Sequence, residues 1–82
     1  MNPAYVLVER VPTVAEYNRV RHAAGLAIKN EIAAARGLAN TLYGVCIEHS
    51  NEVVGIGRVI GDGGLFYDIV DIAIVKEHQA AA

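Results

Sequence analysis

The sequence is short of most things that would mark a specialised class. One cysteine, Cys46, in 82 residues rules out an internal disulfide and any multi-cysteine metal site. Two prolines and 20% charged residues against 54% hydrophobic ones leave no room for a disordered or polyproline-like chain. Basic residues are few and unclustered: seven Lys and Arg against nine Asp and Glu give a net charge of -2, so no nucleic-acid partner is expected. No apolar run approaches the 18 or so residues of a membrane span, and the opening MNPAYVLVERVP has no signal-peptide pattern, so a soluble cytoplasmic protein is expected. The length suits one small domain.

What is present is ordered punctuation. Ala4 to Val11 is a short apolar run suited to a strand. Thr13 followed by Glu16 is a capping box, in which each side chain satisfies the other's main-chain N–H. A helix from Thr13 to Ala24 follows, with Val14, Tyr17, Val20 or Arg21, and Ala24 as its apolar stripe and Gly25 as its left-handed stop. A second helix is read from Leu26 to Arg36, with Ile28, Ile32 and Ala35 facing inward, Lys29 and Glu31 toward water, and Gly37 ending it. From Leu42 the period becomes two. Leu42 to His49, Val53 to Ile60 and Leu65 to Val75 read as strands, joined by a polar turn at Ser50-Asn51-Glu52 and a hairpin turn at Gly61-Asp62-Gly63-Gly64. The order is β-α-α-β-β-β, an α+β domain built on a mostly antiparallel four-stranded sheet with two helices on one face.

Few residues suggest chemistry by themselves. The glycines from Gly55 to Gly61 lie inside a strand, so they read as bulge or twist positions and not as a phosphate loop. His22, His49 and His78 lack metal-ligand spacing, so no metal is expected. Cys46 in mid-strand reads as a core residue. Asp68 and Asp71 interrupt an apolar strand; strict alternation puts them on opposite faces, so they form no carboxylate dyad, and capping of a sheet face or an ion pair to Arg58 is expected ahead of a general base raised in pKa by burial.

Three strings taken together, Asn40-Thr41-Leu42-Tyr43-Gly44-Val45, Glu52 through Gly64, and Asp71 through Gln79, resemble the N-terminal half of a GNAT-superfamily N-acetyltransferase. The resemblance implies a GNAT-like N-terminal lobe over residues 1–79, with the alanines at 80–82 read as a cloning-derived tail. It implies acetyl-CoA as cofactor, with the main chain of Ile72, Ala73 and Ile74 along its pantetheine arm and Gln79 at the first position of the pyrophosphate loop. That loop's glycines and the thiolate-protonating tyrosine have no counterpart up to Gln79, so acetyl transfer to an amine by this chain alone is not expected. The runner-up is a non-catalytic homodimerising or binding module derived from the same fold. In both readings the last strand needs a cover. Exposing about three of Ile69, Val70, Ile72, Ile74 and Val75 would forfeit roughly 1.5–3 kcal/mol each, against a domain stability of about 5–15 kcal/mol. A homodimer through that strand, or a complementing C-terminal half, is therefore the expected partner.

Overall fold

The computed structural model describes residues 4–79, so the reading of 80–82 as a tail lies outside the described residues. Four strands form one antiparallel sheet in the order β1-β2-β3-β4, with β1 spanning Tyr5–Val8, β2 Tyr43–His49, β3 Glu52–Gly61 and β4 Tyr67–Ile74. Helices α1 (Val14–Ala23) and α2 (Glu31–Ala39) lie between β1 and β2 in sequence, and a short α3 (Lys76–Gln79) follows β4. This is the expected α+β architecture with one added helical turn.

Local chemistry explains each boundary. Thr13 accepts from the Glu16 N–H at 3.1 Å and Glu16 accepts from the Thr13 N–H at 2.9 Å, closing the capping box. Arg10 grips the same carboxylate with two bonds of 2.8 and 2.9 Å. This grip, with the Thr13 bonds, holds the Glu16 carboxyl down at about 2. At the other end Gly25 is left-handed (φ 87°), and Leu26 N–H reaches back to the Arg21 carbonyl, as in a Schellman motif. Between β2 and β3, Ser50 and Asn51 both have positive φ, the geometry of a two-residue hairpin turn. Between β3 and β4, Asp62 Oδ1 accepts from the N–H groups of Gly64, Leu65 and Phe66. Those main-chain donors lower its pKa.

The second helix corrects the sequence reading. It starts at Glu31, not Leu26, because Asn30 accepts from the N–H groups of Ile32 and Ala33 and caps it. It runs through Gly37 to Ala39, since the following Asn40 supplies the C-cap. The shift turns Ile28 and Ile32 outward and buries Ala34 and Leu38 instead.

The core lies between α1 and the sheet: Tyr17 and Val20 of α1 pack with Cys46, Val53, Val54, Ile56, Ala73 and Val75, and Ala34 and Leu38 of α2 close the cluster. Cys46 is fully buried, as expected, and burial pushes its thiol pKa up. The opposite sheet face is different. Cross-strand register puts Leu7 beside Ile47, Val45 beside Gly57, and Val59 beside Ile69 on that face. Ile69 is 74% and Ile72 65% exposed there. No helix among the described residues is long and apolar enough to cross a membrane.

Candidate functional site at the bulge of the fourth strand

The β3–β4 ladder loses register between Ile56↔Ala73 and Arg58↔Val70, so two steps on β3 face three on β4. The extra residue makes a bulge at Asp71 and Ile72, with Asp71 at φ 57°. A second irregularity, between β2 and β3, falls near Val54. The extra residues are not themselves glycines, but Gly57 on β3 faces the first bulge, as expected of a strand glycine that permits one, and it gives room to the Ile72 side chain, since a Cβ there would come within 2.8 Å of Ile72 Cδ1.

The bulge reverses the expected disposition of the two aspartates. By alternation Asp68 and Asp71 would face opposite sides. The extra residue brings Asp71 to the helix side, the parity shared by Val70 and Asp68. Asp71 is then enclosed by three donors. Arg58 Nε gives 2.8 Å to Oδ2, and Arg21 Nη1 and the Tyr17 hydroxyl each give 3.0 Å to Oδ1. The Arg58–Asp71 pair was expected from sequence; Arg21 and Tyr17 were not assigned to it. Their signal was the ambiguity of the α1 stripe, where a charged Arg21 sits among apolar positions and is itself buried. Burial and the Asp71 bond both raise the Tyr17 phenol pKa. Arg58 Nη1 also donates to the Gly37 carbonyl and Thr41 Oγ1, tying α2 to the same point.

Of the four residues nominated for a cofactor, Ile72, Ala73 and Ile74 lie on β4, the edge strand of the described sheet, and Gln79 on α3. Val75 N–H bonds to the Val54 carbonyl, and the Ile56↔Ala73 and Gly55↔Ile74 partners follow in register. Antiparallel alternation therefore turns the main-chain groups of Ala73 and Val75 toward β3, and those of Ile72 and Ile74 away from it. Ala73 thus belongs to the ladder, while Ile72 and Ile74 present the edge. Gln79 is brought to the same edge, where its Nε2 donates to the Ile74 carbonyl at 2.8 Å.

The histidines are less scattered than their spacing suggests. Tyr5 and His49 are cross-strand neighbours, and α3 places His78 against both, with Tyr5 Oη 2.6 Å from His78 Nδ1 and the two imidazoles 4.6 Å apart. His22 is exposed and elsewhere. Among the described residues no group of three or more His, Cys, Asp or Glu could hold a metal ion.

The described residues form an antiparallel sheet with two helices on one face and a bulged last strand at its edge. Comparison with solved structures finds the same arrangement elsewhere. The chain superimposes on a protein of unknown function from meticillin-resistant Staphylococcus aureus, described as a "probable acetyltransferase", with a TM-score of 0.84 and 40% identity over 92% of this chain. It also superimposes on a GNAT-family acetyltransferase from Streptococcus pneumoniae, with a TM-score of 0.76 and 18% identity over 92%. The chain spans just over half the length of these two proteins, 56% and 55%. No family model and no curated protein sequence matches it. The chain has a GNAT-like α+β fold over a stretch just over half as long as these proteins, the fold that its sequence resemblance implied.

Proposed function

We propose that this chain is the acyl-CoA-facing half of an N-acetyltransferase, and that the β4 edge at Ile72 and Ile74 is where the cofactor docks. The observation that carries this is the bulge: it leaves the main-chain groups of Ile72 outside the ladder on an edge strand. An edge of this kind fits the amides of a pantetheine arm, which can pair with it as an added strand would. Acetyl-CoA supplies an activated acetyl thioester. The Ile72 N–H can donate to an acyl carbonyl oxygen held there, a role that needs no particular side chain. The Asp71 cluster keeps the bulge in place. Gln79, bonded to the Ile74 carbonyl, would have to swing away for the whole edge to pair. The acceptor is an amine by the family resemblance, and a reducing cytoplasm suits the buried free Cys46.

Catalysis in this reading requires further polypeptide over β4. A C-terminal half is the proposed supplier, and α3 already turns toward the open face by placing His78 on Tyr5 and His49. The test is a chimera in which residues 1–79 are followed by the part of the Staphylococcus aureus relative that this chain does not cover. Acetyl-CoA binding by the chimera, lost on Ile72→Pro, is expected; a folded chimera that binds no acetyl-CoA would refute the reading.

A second reading is favoured by the exposure of Ile69 and Ile72: the chain self-associates through that strand as a homodimeric module. Sedimentation at micromolar concentration separates the two. A dimer supports the module, and a monomer leaves the edge free for the acetyltransferase half.

A further inference from the structure

The helix side of the sheet holds a half-open cavity of about 180 Å³ between α1, α2 and β3, roughly six water volumes. Its wall on α2 is small and apolar, made by Ala33, Ala34, Gly37 and Leu38, while Tyr17, Lys29 and Arg58 complete the lining. Both charged lining residues are cations. The carboxylate bonded to Arg58, Asp71, has both oxygens engaged, by Tyr17, Arg21 and Arg58. The lining thus holds Lys29 and Arg58 and no carboxylate, while Asp71 behind it is shared between Arg58 and Arg21.

Those charges retain unused donors. Arg58 spends Nε on Asp71 and Nη1 on Gly37 and Thr41, which leaves Nη2 without a hydrogen bond among the described residues. The Lys29 ammonium has neither a hydrogen bond nor an ion pair among the described residues. The Lys29 main chain, however, is fixed: Asn18 accepts from its N–H at 2.8 Å and donates to its carbonyl at 2.9 Å. Gly37 leaves the cavity deep, because a Cβ there would meet nothing within 4 Å.

We propose that this cavity binds a small aliphatic monocarboxylate, its carboxylate between Lys29 Nζ and Arg58 Nη2 and its short tail against Ala33, Ala34 and Leu38. A wholly polar anion such as phosphate would desolvate against that wall with nothing gained, and an amine would meet two cations. The site stands on the opposite side of β3 and β4 from the apolar open face, and the proposal holds whether or not the chain transfers acetyl groups.

The test is an amide NMR titration of the whole chain with four probes: butyrate, butyramide, butylamine and inorganic phosphate. Butyrate is expected to shift the Ala33, Ala34 and Gly37 amides saturably. Lys29→Gln, an exposed change, should weaken it by about tenfold, the loss of one charge-assisted bond. Gly37→Leu should abolish the response by filling the cavity, with Gly37→Ala as the control for helix propensity. The proposal is overturned if butyramide or butylamine binds as well as butyrate, if phosphate is preferred, if butyrate gives no saturable response, or if its response survives both Lys29→Gln and Gly37→Leu.

Discussion

Arg58 on β3 holds Asp71 on β4 at 2.8 Å, at the point where the two strands stop matching residue for residue. The pair is enclosed, with side chains 11% and 12% exposed, and Arg21 joins it at 3.0 Å. A left-handed backbone at Asp71 costs strain that these bonds offset. The bulge and the carboxylate therefore support each other.

Asp71→Asn isolates the charge, because asparagine tolerates the left-handed conformation equally well. It leaves two guanidinium groups without a counter-ion and should destabilise the fold by about 3 kcal/mol. Urea unfolding should show a lower midpoint with an unchanged slope.

Glu16→Gln should cost about 1 kcal/mol at neutral pH through the capping box and the Arg10 pair. The sign follows from the depressed folded pKa. The stabilisation by Glu16 is fully present above the ordinary value of 4.5 and is lost as pH falls through about 2. Thermal melts of wild type and variant should differ at pH 7 and converge near pH 2.

Gly61→Ala tests the hairpin. A Cβ at Gly61 would collide with the Phe66 carbonyl oxygen, main chain that cannot step aside cheaply. A loss of about 2 kcal/mol or more is expected by denaturant melt, whereas Gly37→Ala, in open space within a helix, should be neutral or stabilising.

Tyr5→Phe removes the hydroxyl that meets His78 and should loosen α3 with little effect on the sheet. Hydrogen exchange should quicken at His78, whose N–H bonds to the Val75 carbonyl, while Cys46 and Ile56 keep their protection. Equal acceleration across the core would contradict this.

Much of the frame was legible because it is written in local chemistry: the Thr13–Glu16 box, the Gly25 stop and the Asp62 turn each specify their own geometry within a few residues. The start of α2 was misread because Ile28 and Ile32 imitate an inward stripe, while the cap that decides the boundary is a single asparagine, Asn30. The faces of Asp68 and Asp71 were misread because a bulge resets the period of two, and no glycine within β4 itself marks it; the glycine that faces it, Gly57, is on the partner strand. The Tyr5, His49 and His78 cluster joins residues as far as 73 apart, so only the β1–β2 register and the turn into α3 could reveal it. Along the candidate edge, sequence order placed Ile72, Ala73 and Ile74 together. Only the ladder shows that Ala73 points inward, away from its two neighbours' main-chain direction.

The central claim is that the main chain at Ile72 and Ile74 is an open docking edge for a pantetheine arm, and amide NMR of the chain titrated with acetyl-CoA tests it most directly. Without the contacts that would hold the pyrophosphate, several charge-assisted bonds are missing, so affinity should be millimolar or weaker. The account predicts fast hydrogen exchange at the Ile72 and Ile74 amides against slow exchange at Ala73 and Val75, with cofactor-induced shifts confined to residues 72–74 and 79. Slow exchange at Ile72 in the monomer, or shifts that bypass this edge at millimolar acetyl-CoA, would contradict it.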